Sequence, residues 1–155
     1  MKQETRIKIR EFTDLKAWQE GHKLVLAIYV VTKDFPSKET YSLVDQMRRA
    51  AVSITSNIAE GFGRHSMKEK TQFYYLAQGS LSELKNQLII SRDIGYLSTN
   101  SFRSLLEQAE LAHRLLQGLT VKSRELSKTN RNFLSSFASF ILLTSNFLLL
   151  SQYYA

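Results

Sequence analysis

Arg48 and Arg49 stand side by side in the run YSLVDQMRRAAVSITSNIAEGFG, residues 41–63, and are the first groups in the chain with an evident chemical use. Adjacent positions on a helix differ by about 100°. One arginine can therefore face a neighbouring subunit while the other faces solvent. Two uses follow: contact with a phosphate, or an inter-helix ion pair with Asp45 or Glu60. Ser53, Asn57 and Glu60 continue the same face, and with Gln46 and Arg49 they make a polar strip beside the small residues 50, 51, 53 and 59. Such a strip is either a hydrogen-bonding network between helices or subunits, or an ordinary solvated face. Arg64, His65, Lys68 and Lys70 crowd the next turn. A helix N-terminus presents free N–H groups that can hold a phosphate. Here Ser66 and Glu69 have capping-box spacing, so those groups are already claimed.

Groups suited to catalysis lack partners at usable spacing. Glu110 and His113 form a Glu-x-x-His pair. A di-iron bundle needs that pair on two helices and a glutamate from each of the others; His22 and His65 are not so placed. The string GFGRHS follows a helical pattern rather than a strand and lacks the Gly-Lys-Ser ending of a phosphate loop. No serine or threonine carries a motif that would mark it as a nucleophile with a histidine base. Neither a metal nor a cofactor is expected, and the residues read as a binding or assembly protein rather than an enzyme. Tyr74, Tyr75, Tyr96 and Phe62 can stack on unpaired bases, although aromatics at helical spacing more often serve a core.

Charge placement says more than the net +7. Residues 1–10 hold four basic groups against one acid, and residues 112–131 hold Arg114, Lys122, Arg124, Lys128 and Arg131 against Glu125 alone. The stretch between is balanced, and residues 132–155 carry no charge. Basic flanks on a neutral body attract a polyanion, whether RNA, DNA or an anionic membrane; equally, basic ends aid solubility. Cysteine is absent, which removes disulfides and thiolate chemistry and fits a reducing compartment. The start, MKQETRIKIRE, has no apolar core of a signal peptide, and a cytoplasmic protein is expected.

Those groups must be positioned by helices. One proline and six glycines in 155 residues leave little for a many-turned β fold. The first helix is expected from Leu15 to about Lys33, capped by Thr13 or Asp14, with Leu15, Trp18, Val25, Ile28, Tyr29 and Thr32 as its apolar stripe, and is ended by Phe35-Pro36. A second is expected from about Glu39 to Glu60 around Leu43, Met47, Ala50, Ala51, Ile54 and Ile58, broken by Gly61-Phe62-Gly63. The third starts at Ser66, is lined by Phe73, Ala77, Leu81, Leu84, Leu88 and Ile94, and closes at Gly95 as a left-handed cap. Gly79 lies inside it, where a close helix crossing would explain a residue unfavourable to helix. A fourth begins between Ser98 and Ser101, with Phe102, Leu105, Ala109, Ala112, Leu116 and Leu119 spaced as in a coiled-coil seam. Short links between long amphipathic helices predict an all-α, antiparallel up-down-up-down four-helix bundle.

The division expected is a basic arm over residues 1–12, the bundle over 13–128 and an apolar tail over 129–155. From Phe133 to Ala155 there is no charge, and 15 of 23 residues are apolar. As a helix that segment would span about 35 Å, enough to cross a bilayer, but Ser135, Ser136, Thr144, Ser145, Asn146 and Gln152 interrupt it. A fifth packing helix, a membrane anchor and an appendage without function are all compatible with it.

Beyond these readings, DLKAWQ (14–19), IYVVTKDFP (28–36), QMRRAAVSITSNIAEGFGR (46–64), LAQGSLSELKNQL (76–88) and GYL (95–97) resemble a family of small bacterial four-helix-bundle proteins first found encoded in intervening sequences of 23S rRNA genes. Accessory proteins of diversity-generating retroelements look like its relatives. Thr55 stands where the pattern has proline, Ser42 where it has glycine, and Lys85-Asn86 where an acidic-Thr pair is usual. The resemblance implies a homo-oligomer, most simply a pentamer, and a structural role for the paired arginines. For the retroelement branch it also implies binding of nucleic acid and of a reverse transcriptase. The combined expectation is a non-catalytic oligomeric scaffold that binds nucleic acid through Arg48, Arg49, Arg64, Lys68, Lys70 and the cations from Arg114 to Arg131. The alternative is a protein-interaction module, tethered to a membrane or not.

Overall fold

Apolar residues recur every three or four positions through most of the chain, and the structure answers with four long helices. The computed structural model describes the backbone of residues 9–153 and the side chains of 9–129, 131 and 132. Most of the basic arm, residues 1–8, and the side chains of the apolar tail, 133–155, lie outside the described residues. Helices α1 (Lys16–Val31), α2 (Leu43–Gly63), α3 (Met67–Asp93) and α4 (Thr99–Tyr153) follow one another, with 3-10 turns at Phe12–Asp14 and Ser37–Glu39. Each helix packs against two neighbours, and α4 closes the square against α1. Gly21 meets Thr55 while Thr32 meets Arg48, Ser53 meets Ser80 while Gly61 meets Tyr74, and Gln78 meets Thr120 while Lys85 meets Glu110, so numbers rise on one helix as they fall on the next. The bundle is therefore antiparallel, up-down-up-down.

Leu24, Ile28, Met47, Ala51, Ile54, Ile58, Ala77, Leu81, Leu84, Leu88, Ala109, Ala112 and Leu116 fill the centre. The stripes expected on α2 and α4 are largely these residues. On α1, Leu24 is buried, while Tyr29 turns outward. On α3, Tyr74 enters the core at 2% exposure, whereas Ile94 is half exposed. Tyr74 is therefore a packing residue and not a base-stacking one.

Helix ends differ in detail from the sequence reading. Neither Thr13 nor Asp14 caps α1. Asp14 instead accepts the backbone N–H groups of Arg10 at 2.8 Å and Glu11 at 3.1 Å, which fixes the preceding 3-10 turn. Ser66 and Glu69 do form the capping box of α3. Gly95 adopts φ +80°, and the N–H groups of Gly95 and Tyr96 reach the carbonyls of Arg92 and Ser91 at 3.0 and 2.8 Å. That is the paired bonding of a Schellman closure.

Two glycines exchange their expected roles. Gly61 does not break α2, which continues through Gly63. A Cβ at Gly61 would stand 2.7 Å from Cε1 of Tyr74 and 3.0 Å from Cβ of Phe73. Its bare backbone is what lets α3 approach α2 so closely. At Gly79, by contrast, a Cβ would meet nothing within 4 Å, so no close crossing accounts for it. The fourth helix also runs on without interruption at residue 128, giving 55 residues in one rod.

Candidate functional site

The cations singled out in the sequence divide into those already engaged and those left open. Arg48 donates from Nε to Oγ1 of Thr32 at 2.9 Å and lies over the Tyr29 ring at 5.0 Å. It clamps α2 to α1 through a hydroxyl and a ring, rather than through the carboxylate that the sequence suggested. Arg49 pairs instead with Asp45 at 3.5 Å on the surface of its own helix. Arg64 pairs with Glu60 at 3.5 Å and stacks over Phe73 at 4.3 Å. Lys70 donates to the carbonyl of Phe62 and lies 3.5 Å from that of Gly61. Its ammonium thus serves the carbonyls at the end of α2, of which that of Gly61 also accepts the Arg64 N–H at 3.3 Å. Each of these four cations thus has a partner within the chain.

The polar strip of α2 is partly a network. Ser53 Oγ meets Ser80 Oγ at 2.8 Å, and Asn57 Nδ2 donates to the carbonyl and hydroxyl of Ser53 at 2.8 and 3.1 Å. Gln46 is exposed and lies outside this group, and Glu60 is turned to Arg64. The strip therefore links α2 to α3 within one chain.

The Glu-x-x-His pair also has a structural explanation. Lys85 Nζ donates to Oε1 of Glu110 at 2.7 Å and lies 3.0 Å from Nδ1 of His113. An ammonium thus occupies the space between the two groups. Burial, followed by the neighbouring Lys85 charge, lowers the His113 pKa, and the hydrogen bond from Lys85 lowers that of Glu110. Lys85 is thus held by two partners on α4. Among the described residues, no group of three or more His, Cys, Asp or Glu is arranged to hold a metal.

A different set of cations converges. Where the first turns of α3 pack against α4, a cleft of about 260 Å³ is lined by Lys68, Thr71, Gln72 and Tyr75 on one side and Arg124, Ser127, Lys128 and Arg131 on the other. Positions 124, 128 and 131 fall on one face of α4 because four and three residues each make about one helical turn. No carboxylate lines the cleft. Lys68, Arg124, Lys128 and Arg131 form no ion pair with any described residue. Thr71 is tied to the carbonyl of Met67 at 2.7 Å, whereas Gln72 and Tyr75 make no side-chain bond within the described chain. Lys122 lies across α4 from this face, in a more apolar groove with Leu15, Leu115 and Leu119. Arg114 is exposed and outside both.

The sequence named Lys68 and the α4 cations separately and gave no sign that they meet. Their meeting depends on the register of α3 against α4, which Gln78 fixes by donating to Oγ1 of Thr120 at 2.9 Å.

A family model described as the 23S rRNA-intervening sequence protein matches residues 13–118. The chain belongs to that family. Among solved structures, this family member is similar to a protein of unknown function from the S23 ribosomal protein family of Bacteroides thetaiotaomicron VPI-5482, with a TM-score of 0.63 and 16% identity, covering 67% of this chain and 97% of that chain. At that identity the likeness concerns the fold. No curated protein matches the chain. Lys68, Thr71, Gln72 and Tyr75 lie inside the matched segment of this family member, whereas Arg124, Ser127, Lys128 and Arg131 lie beyond it. Among the residues whose side chains are described, which exclude 133–155, no helix is long and apolar enough to cross a membrane.

Proposed function

We propose that the chain is a non-catalytic scaffold or adaptor that binds nucleic acid, RNA or DNA, through the cleft between α3 and α4. One observation carries this reading: four cations from two helices face a common space with neither a carboxylate among them nor an ion pair to neutralise them. Placing like charges together costs energy unless a counter-charge arrives. A phosphodiester backbone is a counter-charge of suitable density, and its binding releases condensed counterions. Arg114 and Lys122 add to the attracting field without lining the cleft.

Self-association belongs to the same proposal. The outer face of α1 exposes Leu26 at 55% and Val30 at 65%, with Tyr29 beside them. Contiguous apolar side chains at a surface mark protein contacts. A ring of copies, five by family resemblance, would cover that face and set several clefts on one particle. The same face supports the second reading, a module whose partner is another protein such as a reverse transcriptase.

Filter binding of labelled RNA and DNA at increasing salt tests the first reading, with light scattering to count copies. Binding that falls steeply as salt rises is the expected result. Affinity indifferent to salt, or none in dilute buffer, would overturn the nucleic-acid assignment and favour the protein-interaction module.

A further inference from the structure

We infer that the α3–α4 cleft selects single-stranded nucleic acid, with the Tyr75 ring stacking on an unpaired base while Lys68, Arg124, Lys128 and Arg131 hold the adjoining phosphates. This inference rests on the nucleic-acid reading above and narrows it to one strand state.

Tyr75 is the observation that narrows it. It lines the cleft among the four cations and keeps 45% of its surface open, whereas its neighbour Tyr74 is buried. The described chain provides neither a ring contact nor a hydrogen bond to hold Tyr75. Aromatics that serve the fold here are engaged: Phe73 lies under Arg64, Phe102 under Arg92, and Tyr96 bonds Glu39 at 3.2 Å. An exposed ring between phosphate-binding groups has its π-face available for a base, and stacking of that kind tolerates any sequence.

The strand state follows from geometry. In a duplex each base face is covered by the next base pair, so a ring on the protein wall meets only the backbone and groove edges. Unpaired bases can be splayed out onto an aromatic side chain. Arg124 to Arg131 covers seven steps of helix, about 10 Å, so these cations can reach only a few neighbouring phosphates. A short stretch of a single strand therefore fits the cations with one base turned inward. Gln72, whose amide is unpartnered in the same cleft, can then reach an edge of that base.

The test is fluorescence anisotropy with the full-length chain. The probes are a twelve-nucleotide oligouridylate, the matching oligothymidylate, a fully paired hairpin of equal charge, and phosphatidylserine vesicles. Both single strands should bind at least about tenfold tighter than the hairpin, with the RNA and DNA arms reporting any preference for the sugar. Tyr75→Leu should weaken single-strand binding by about tenfold to a hundredfold and leave hairpin binding unchanged. Tyr75→Phe should restore wild-type affinity, since it keeps the ring. Equal affinity for strand and hairpin, or a neutral Tyr75→Leu, would overturn the single-strand assignment while leaving a polyanion cleft in place. Absence of binding to every oligonucleotide would overturn both readings, and so would binding confined to the vesicles.

Discussion

Gln78 on α3 donates a 2.9 Å hydrogen bond to Oγ1 of Thr120 on α4, and Thr120 in turn donates to the carbonyl of Leu116 at 2.7 Å. Thr120 is buried, so this link locks the sliding register of the two helices just before the cationic cleft. Thr120→Val keeps the side-chain shape and leaves the Gln78 amide without its partner. The expected cost is about 1–2 kcal/mol of stability, read from the midpoint of urea denaturation. Affinity for nucleic acid should fall as well, because the two walls of the cleft are no longer held in register.

Lys128 and Lys70 should behave differently although both are cations of the same region. Lys128→Ala removes a cation lining the cleft, so the slope of log affinity against log salt should decrease by about 1. Lys70→Met removes the group that serves the carbonyls of α2. It should leave the salt slope unchanged and lower stability by about 1 kcal/mol. Paired titrations at several salt concentrations, with thermal melts, distinguish the two. Equal slopes for Lys128→Ala and the parent would remove Lys128 from the interface.

Gly61 and Gly79 make an opposed pair. Gly61→Ala forces a methyl against the ring of Tyr74, whose Cε1 would lie 2.7 Å away, and should destabilise by about 1–3 kcal/mol through overpacking. Gly79→Ala adds a methyl where nothing lies within 4 Å. There the helix should gain about 0.5–1 kcal/mol from reduced backbone freedom. Denaturation midpoints that move in opposite directions are the expected readout.

The Lys85–Glu110–His113 group should make the bundle sensitive to mild acid. The His113 pKa is lowered in the fold, first by burial and then by Lys85. The unfolded chain therefore binds a proton more readily than the folded one below the ordinary histidine value of 6.5. This contribution to stability is present above about pH 6.5 and is lost as the pH falls from there towards the folded pKa. Glu110, also lowered, acts in the same direction but nearer its ordinary value of 4.5. His113→Gln removes the first of these, so the slope of melting temperature between pH 6.5 and 5 should flatten. A slope identical to that of the parent would show that His113 does not titrate on unfolding.

Periodicity made the four helices legible, because burial on one face imposes a three-four spacing whatever the partner. The capping box at Ser66 and the left-handed Gly95 were legible for a similar reason: each is a local solution involving residues a few positions apart. Contacts between helices were harder to read. Gly61 looks like a breaker in sequence, and only its 2.7 Å approach to the Tyr74 ring shows that it serves a crossing. Tyr74 and Tyr75 are indistinguishable as letters, yet a 100° rotation sends one inward and the other to the cleft wall. The cleft itself joins residues 68 and 131, and no local pattern reports a distance that depends on how two helices slide.

The boundary of the family match at residue 118 divides the cleft along its length. One bank lies within the matched segment; the other is supplied by the middle of α4, just past the turns that hold the core. If the cleft binds as proposed, exchanging Arg124, Lys128 and Arg131, none of which is buried, should alter its preference with the interior left intact. On the proposed function, a ligand found for one relative of this fold carries over to another only where the second bank is also the same.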